Sequence, residues 1–460
     1  TVFAYTNLVA KSQKLGVYIM FNLLPHELIV DNFAGGGGTS TGLERAFGRP
    51  IDIAINHDPK ALAMHRVNHP LTKHYCESVW DVDPVEITGN QPVGLVWLSP
   101  DCKHHSKAKG GKPLNKNIRG LAWIALRWAA KVRPRVIMLE NVTEFAEWGD
   151  LDKDGRPCPK RKGRTFNCFV NALKYQGYSV EYKELKACDF GSPTIRNRFF
   201  LIARRDGLPI VWPKETHGNP NTSLVKKGRL LPWRTAAECV DLSFDCPSIF
   251  KRKKALAPAT LERIVRGILK YIVHNPEPYI VDAAAPILTE CANGSSRRSM
   301  PIDEPLRTIT AETKGGTHSL YVCHLSKMKN GCTGQELNEP MHTLTTVNQF
   351  AEVRALLTRF TEGLNFKNEL FEKFGIIEIN GERYCIEDIG FRMLQPFELY
   401  KAQGFPHDYI FSYGHDENNQ QLKLTKQDQY RMVGNSVPPD LSYALVLANF
   451  THEQEYSLAS

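Results

Sequence analysis

A short apolar strand that runs into four consecutive glycines limits how this chain can fold. Residues 27–34 have the pattern of a buried strand, residues 35–38 are all glycine, and apolar residues from Leu43 onward recur at helical spacing. Strand, glycine loop and helix in this order predict the first unit of an α/β fold with a parallel sheet. Such a loop lets backbone amides approach an anionic ligand closely at a helix N-terminus. Tight turns that bind nothing have the same pattern, so the loop alone leaves both interpretations open.

The alternation of strands and helices continues for about 200 residues. Further strands are predicted at residues 51–55, 74–79, 96–98, 136–139 and 199–203. Because parallel strands end at one edge of a sheet, polar residues that follow them are expected to gather there. Asn56 and His57 follow the second strand, where a ribose is bound in nucleotide-binding units, and Glu77 lies near the end of the third. The next residues, Asp58 and Pro59, also suit a helix cap.

Cys102 lies on the loop that leaves the strand 96–98, because Pro100 cannot continue that strand. Basic side chains follow at once, at Lys103, Lys107, Lys109, Lys112 and Arg119. Positive charge favours a thiolate and attracts a polyanion. The loop therefore indicates a nucleophilic cysteine that faces nucleic acid, although most free cysteines are buried small hydrophobes and the loop alone does not decide between the two.

An acid and two arginines follow later strands. Glu140 ends the strand 136–139 at the sheet edge expected for Cys102, and capping of the next segment explains it equally well. Arg196 and Arg198 alternate onto one face of an extended segment, which suits gripping a planar or anionic group.

Length and composition set the class of protein. A chain of 460 residues exceeds the size of about 250–300 residues at which one core stops growing, so two domains are expected. The net charge of +9 supports a nucleic-acid partner. The 11 cysteines include no Cys-x-x-Cys pair, which argues against a disulfide framework or a zinc ribbon. We expect a cytoplasmic protein with no membrane association, because no apolar stretch reaches the length of a membrane span.

The sequence pattern changes near residue 213, where prolines and basic clusters replace the alternation of predicted strands and helices. That alternation returns near residue 386. We therefore expect a catalytic, cofactor-binding domain in residues 1–212, a smaller β-rich domain in residues 213–385, and a C-terminal segment, residues 386–460, that returns to the first domain.

Six motifs, taken in order, resemble those of the DNA (cytosine-5)-methyltransferase family of bacterial or phage type. They lie at residues 31–38 (cofactor loop), 99–102 (nucleophile loop), 140–142 (acid motif), 194–198 (arginine motif), 392–406 (the segment after the target-recognition region) and 434–437 (last motif). The chain departs from the usual family pattern at Asp101 and Lys103, which flank the cysteine, at Thr194, and at Asn56, where a glutamate that binds the ribose is more common.

The resemblance implies a Rossmann-like, S-adenosylmethionine-dependent methyltransferase fold, with a target-recognition domain inserted before the C-terminal segment. It implies methyl transfer to carbon 5 of a flipped-out cytosine, through a covalent Cys102 adduct at carbon 6. The implied catalytic residues are Cys102, Glu140, Arg196 and Arg198. The implied cofactor-binding residues are Phe33, Ala34, Gly35, Gly37, Gly38, Thr39, Asn56, His57, Glu77, Pro100, Asn435 and Ser436.

Sequence-specific double-stranded DNA is the implied substrate, with Lys103, Ser106, Lys107, Lys109 and Lys112 as DNA contacts. The implied product of the cofactor is S-adenosylhomocysteine, and no metal is expected. We expect a monomer, and a cognate restriction enzyme is a partner that the resemblance allows. Two alternatives stay open: a tRNA cytosine-5 methyltransferase on the same fold, and a non-catalytic DNA-binding homologue. The long insert favours a reader of duplex DNA, because reading base edges in a groove needs a large recognition domain.

Replacing Cys102 by alanine is expected to abolish methyl transfer and to leave DNA binding intact, because only the thiolate can add to carbon 6. Incorporation of labelled methyl groups and a DNA gel-shift assay on the same preparation check both parts. Methyl transfer that survives in the variant would refute the assignment of the nucleophile.

Overall fold

The computed structural model describes residues 27–100, 120–152, 158–281, 288–290, 298–300, 319–329, 331–360 and 369–450. The chain forms two compact units. The first comprises Thr1–Trp233 together with Gln403–Ser460, and the second is Arg234–Ala402.

A seven-stranded sheet forms the centre of the first unit. Its strands are β1 (Leu28–Asn32), β2 (Ile53–Ile55), β3 (Lys73–Tyr75), β4 (Val93–Leu98), β5 (Val136–Asn141), β6 (Ser179–Lys186) and β7 (Asn197–Arg204), and their order in the sheet is 3-2-1-4-5-7-6. The first five strands are parallel, and β7 is antiparallel to both β5 and β6. The predicted Rossmann-like fold is therefore confirmed. The strand order reverses between β1 and β4, and in such sheets the crevice beyond the strand ends at that point binds ligands.

Helices cover the sheet on both faces. The α-helices of the described residues in both units are α1 (Gly38–Phe47), α2 (Pro59–Asn68), α3 (Pro84–Thr88), α4 (Ile124–Lys131), α5 (Arg164–Tyr175), α6 (Ser223–Lys226), α7 (Pro258–Ile268), α8 (Glu369–Phe374), α9 (Pro396–Ala402), α10 (Lys426–Asn435) and α11 (Pro439–Phe450). One face of the sheet packs its apolar residues against Trp128 and Phe169, and the other against Phe47 and Phe450. Burial on both faces explains why the central strands are continuous apolar runs.

Two predicted limits in the first unit differ from the structure. The third strand ends at Tyr75, so the predicted strand at residues 74–79 is too long. The first unit also continues past residue 212, because residues 213–233 pack on it: the Thr216 N–H donates to the Asp189 carbonyl at 3.0 Å. That segment carries the short strands β8 (His217–Gly218) and β9 (Leu231–Pro232). Its prolines and short runs concealed its continuity with the first unit.

An antiparallel sheet forms the centre of the second unit, which confirms the predicted β-rich domain. Its strands are β10 (Ile280–Val281), β13 (Ser319–Lys327), β14 (Gly334–Gln335), β15 (Phe350–Arg359), β16 (Ile377–Ile379) and β17 (Glu382–Met393); β11 (Leu288–Glu290) and β12 (Arg298–Met300) form a separate ribbon. The unit continues past residue 385 because β17 pairs with β15 along nearly its whole length. The predicted segment 386–460 therefore begins inside the second unit, and the returning chain starts at Gln403.

The C-terminal part of the chain completes the first unit with α10, α11 and a hairpin of β18 (Tyr413–His415) and β19 (Gln421–Lys423). Helix α11 crosses α1 at a point where two glycines remove the side chains. A Cβ added at Gly42 would lie 2.0 Å from Ser442 Oγ and 2.3 Å from the Pro439 carbonyl oxygen. A Cβ added at Gly38 would lie 1.8 Å from Ser436 Oγ. Only glycine allows the backbones to approach this closely.

Gly42→Ala is expected to lower the free energy of unfolding by about 1–3 kcal/mol, because α1 and α11 must move apart to admit the methyl group. Chemical denaturation of the full chain measures this change. Gly120→Ala is the matched control, because its Cβ would meet no atom of the described residues nearer than 3.7 Å. The control is expected to change stability by less than about 1 kcal/mol. Equal effects of the two substitutions would contradict the tight crossing.

Candidate active site

The parallel strands deliver most of the predicted site residues to one edge of the sheet. β1 runs into the glycine loop, β2 ends before Asn56, β3 ends two residues before Glu77, and β5 ends with Glu140 and Asn141. Because β7 is antiparallel to β5, its first residues lie beside the last residues of β5. The segments that carry the acid and arginine motifs therefore meet.

Three hydrogen bonds hold the chain as it leaves β4. The Trp97 indole donates to Ser99 Oγ at 2.8 Å, the Ser99 N–H donates to the Asn32 carbonyl at 3.3 Å, and the Asn141 amide donates to the Pro100 carbonyl at 3.3 Å. Pro100 itself is buried. The chain is thus anchored between β1 and β5, two residues before Cys102. The predicted nucleophile and DNA contacts, Cys102, Lys103, Ser106, Lys107, Lys109 and Lys112, lie outside the described residues.

Glu140 and Arg198 form a buried ion pair at this edge. The Arg198 Nε lies 3.1 Å from Glu140 Oε1, and the two side chains are 12% and 9% exposed. Burial raises the pKa of the Glu140 carboxyl, although the guanidinium groups of Arg198 and Arg196 act in the opposite direction. A carboxyl with a raised pKa holds a proton more readily than an ordinary glutamate, which favours a role as a general acid.

Arg196 also reaches the end of α10. Its Nη1 donates to the Gly434 carbonyl at 3.1 Å. Nearby, the buried Gln403 amide donates to the Ser436 carbonyl at 2.7 Å. These two buried donors hold residues 434–436, the turn at which α10 ends, and Asn435 is exposed. Sequence reasoning did not single out Gln403, because one amide after a helix has no distinguishing pattern.

The glycine loop uses left-handed backbone conformations. Phe33, Gly35 and Gly37 have φ angles of 63°, 56° and 94°. The Ala34 N–H donates to a carbonyl of β2 at 3.1 Å, which ties the loop to the neighbouring strand. Gly37 also needs its missing side chain, because a Cβ there would lie 2.3 Å from the Tyr409 hydroxyl oxygen. The strained path and the close packing together explain the run of glycines.

Gly35 is the loop glycine with open space beside it. A Cβ at Gly36 would meet Met64 Sδ at 2.9 Å, whereas the nearest atom to a Cβ at Gly35 would be the Phe33 carbonyl oxygen at 3.8 Å. Among the described residues, the loop is closed by protein along one side and has open space at Gly35. Open backbone at the start of a helix fits a ligand that carries a carboxylate, such as the methionyl part of S-adenosylmethionine.

Some of the side chains that follow β2 are held in hydrogen bonds within the protein, and one is exposed to solvent. Asn56 Oδ1 accepts the Asp58 N–H at 2.9 Å, and the Asp58 carboxylate caps α2 by accepting the Lys60 N–H at 3.0 Å. Asp58 also pairs with Arg431, a partner that the sequence did not indicate. Asn56 therefore supports a local turn, while the His57 side chain remains exposed.

Burial separates the predicted residues at this edge into three groups. Buried are Ala34, Gly37, Gly38, Thr39, Pro100, Glu140 and Arg196; partly buried are Phe33, Gly35, Asn56, Arg198 and Ser436; exposed are His57, Glu77 and Asn435. Among the described residues, no group of three or more His, Cys, Asp or Glu side chains is placed to hold a metal ion. No helix in the described part of the chain has the length and apolar character needed to span a membrane.

The family model for C-5 cytosine-specific DNA methylases matches residues 28–449. The chain belongs to this family. Among curated proteins, it is 30% identical over 196 residues to the type II methyltransferase M.XorII of Xanthomonas oryzae pv. oryzae, covering 41% of the chain and 43% of that protein. It is 27% identical over 237 residues to the type II methyltransferase M.AquIA of Picosynechococcus, covering 46% of the chain and 87% of that protein. The match spans less than half the length of M.XorII.

Solved structures of methyltransferases also align with the chain. A DNMT2 variant from Spodoptera frugiperda aligns with a TM-score of 0.49 and 14% identity, covering 93% of this chain and 99% of that one. A DNA modification methyltransferase described as putative, from an Escherichia coli prophage, aligns with a TM-score of 0.46 and 16% identity, with the same two coverages.

Arg198→Ala is expected to lower the free energy of unfolding by about 3–5 kcal/mol, because it leaves the buried Glu140 carboxylate without its cation. Adding Glu140→Gln to that variant should restore much of the loss. Denaturant titrations at pH 7.5 measure both effects. Lys131→Ala is the control: it removes a half-exposed pair with Asp83 at 3.0 Å and should cost less than about 1 kcal/mol. An Arg198→Ala protein as stable as the control would show that the buried pair does not stabilise the fold.

Proposed function

We propose that this protein transfers a methyl group from S-adenosylmethionine to carbon 5 of a flipped-out cytosine in double-stranded DNA. The observation that carries the proposal is the buried Glu140–Arg198 pair, which lies at the sheet edge where the chain leaves β4 toward Cys102. The acid and the cation lie at the sheet edge that also carries the glycine loop, and the sequence places a cysteine two residues after Pro100; together these are the groups that this reaction needs. Family membership supports the same reaction class.

The chemistry explains why each group is needed. Carbon 5 of cytosine is a poor nucleophile until a thiolate adds at carbon 6 and turns the ring into an enamine. The Cys102 thiolate forms that carbon–sulfur bond, and Glu140 supplies a proton at N3, so that negative charge does not accumulate on the ring. After methyl transfer, loss of the proton on carbon 5 expels the Cys102 sulfur and restores the aromatic ring.

The two arginines support this step in different ways. Arg198 is placed beside Glu140, where its guanidinium can hold the O2 edge of the same base and keep the acid oriented. Arg196 acts through the backbone, because it anchors the turn at residues 434–436. We assign Arg198 a contact with the base and Arg196 a positioning role.

S-adenosylmethionine supplies the methyl group when bound. The residues that would hold it are the open backbone of Phe33, Ala34 and Gly35, and the polar groups at the strand ends and the returning turn, namely His57, Glu77, Asn435 and Ser436. Gly37, Gly38, Thr39 and Pro100 would shape the site through the packing of the loop. Asn56 would act indirectly, because its side chain already holds the turn before α2.

We assign target recognition to the second unit, and contacts to the DNA backbone to the basic residues between 103 and 112. The target atoms of cytosine lie inside the base stack, so the base must leave the duplex at a cost of a few kcal/mol. The monomeric state, the cytoplasmic location and a cognate restriction enzyme stay predictions from the resemblance. A tRNA substrate is the alternative that the experiment must separate.

The test incubates the full chain with S-adenosylmethionine labelled in the methyl group, and with unmethylated genomic DNA or total tRNA in parallel reactions. Nuclease digestion then identifies the labelled base. Label in 5-methylcytosine of DNA is the expected result, and sequencing of the methylated sites would give the target. Label only in tRNA would replace the proposal with the alternative, and label in neither substrate would overturn it.

Glu140→Gln is expected to slow methyl transfer to DNA by about 10²–10⁴-fold, because the amide cannot donate the proton at N3. Binding of S-adenosylmethionine, measured by calorimetry, should stay within about twofold of the unmodified protein. Glu147→Gln is the matched control, since Glu147 is 43% exposed in a surface pair with Lys162. Full activity of Glu140→Gln, or an equal loss in the control, would remove Glu140 from the mechanism.

A further inference from the structure

A row of hydrogen-bonded polar side chains runs through the core beneath the glycine loop. Ser40 Oγ donates to Asp31 Oδ2 at 2.7 Å, lies 2.9 Å from His65 Nε2, and His65 Nδ1 lies 2.8 Å from His74 Nε2. Asp31, Ser40 and His65 are fully buried. His74 lines a cavity of about 470 Å³, together with Arg66, Tyr75, Cys76, Glu77 and Glu417. The row therefore connects a buried carboxyl group with a surface cavity.

Asp31 is the unusual member of this row, because its carboxyl is buried and no cation among the described residues forms an ion pair with it. Its Oδ2 accepts the Ser40 hydroxyl, and its Oδ1 has no hydrogen-bond partner among the described residues. Burial raises the pKa of Asp31 from 3.8 to about 7. A carboxylate in this position costs free energy, so the group exchanges a proton near neutral pH.

The groups around Asp31 do not supply a compensating positive charge. Burial lowers the pKa of His65 well below its usual value and that of His74 to about 4, so both rings are neutral. On α1, Glu44 lies 2.9 Å from His69 Nδ1. The Tyr409 hydroxyl donates to the Gly36 carbonyl, and burial raises its pKa far above neutral.

The row has two complete proton arrangements. With Asp31 ionised, Ser40 donates to Asp31, His65 Nε2–H donates to Ser40, and His74 Nε2–H donates to His65. With Asp31 protonated, every bond is reversed: Asp31 donates to Ser40, Ser40 to His65, and His65 to His74. The two arrangements differ by one proton, which is carried on the other ring nitrogen of His74, a side chain that lines the cavity and also interacts with the Thr72 backbone. Each side chain stays hydrogen-bonded in both states.

The Asp31 charge lies at the base of the loop that would hold the cofactor. The bond from Ser40 to Asp31 joins the first turn of α1 to the penultimate residue of β1, and so spans both ends of the loop. S-adenosylmethionine carries a positively charged sulfonium, whereas S-adenosylhomocysteine has a neutral sulfur. In a buried site, a nearby carboxylate acts strongly on such a difference, since the effective dielectric constant is far below that of water.

We propose that Asp31, which exchanges protons through Ser40, His65 and His74, is the residue through which pH changes the affinity of the loop for the cationic methyl donor relative to its neutral-sulfur product. The proposal rests on the proposed function, because it takes S-adenosylmethionine to be the ligand of the loop. Preference for the donor grows as pH rises, because ionised Asp31 attracts the sulfonium. At low pH the protonated carboxyl treats both ligands alike.

The experiment measures the dissociation constants of S-adenosylmethionine and S-adenosylhomocysteine for the full chain by calorimetry between pH 5.5 and 8.5. The ratio of the two constants is expected to move on the order of tenfold in favour of the donor as pH rises. Asp31→Asn should make the ratio independent of pH. Ser40→Ala should move the midpoint to higher pH, because the carboxylate loses its hydroxyl donor. A ratio that does not change with pH, or that changes equally in Asp31→Asn, would overturn the proposal.

A second measurement separates failure of this proposal from failure of the proposed cofactor. Without ligand, the pKa of Asp31 in the folded chain is raised, so its contribution to stability is present at low pH and is lost as pH rises through about 7. The stability of the unmodified chain relative to Asp31→Asn should therefore fall between pH 4 and pH 7 and level off above that. If neither ligand binds but this fall is seen, the proposed cofactor is wrong and Asp31 still titrates as described. If no fall is seen, the proposed proton exchange of Asp31 through the row is wrong.

Discussion

Burial of the parallel sheet on both faces is the constraint on which the rest of the first unit depends. The face that carries Ile29 and Trp97 is covered by α1 and by α11, a helix that comes from the opposite end of the chain. The crossing of these helices needs glycine at position 42, and the close approach of Ser436 to the start of α1 needs glycine at position 38. The same crossing brings the turn at residues 434–436 next to the glycine loop. Core packing and assembly of the site are therefore achieved by one contact.

Buried carboxyl groups occur in two different environments in this protein. In each unit, buried carboxylates are paired with arginines: Glu140 with Arg198 in the first, and Glu398 with Arg392 at 2.8 Å in the second. Removing one partner of such a pair leaves a charge that cannot be solvated, which is why the pairs are strongly coupled. Within the described part of the chain, Asp31 has no arginine or lysine partner and accepts a side-chain hydrogen bond from Ser40 alone. Its carboxyl group can therefore change protonation without breaking an ion pair.

Much of the first unit could be predicted from local patterns. The strands at β1, β2, β4 and β5 follow from short apolar runs, and α1 follows from the glycine loop and its helical spacing. Glu140 was identified because it ends an apolar strand, which is a local signal. Gln403, Arg431 and the row from Asp31 to His74 could not be identified, because their partners are distant in sequence. A histidine on a helix has the same local pattern whether it faces water or another histidine.

The sequence by itself determined the class of fold, the order of the motifs and the identity of the chemical groups, because apolar periodicity and residue type are local properties. Only the tertiary structure decided which of those groups meet. The reversal of β7 beside β5 places Arg198 on Glu140 and directs Arg196 to the turn at Gly434. The tertiary structure also decided that β17 belongs to the second unit. The hydrogen bonds of a strand depend on the neighbour beside it, and the residues of the strand do not specify that neighbour.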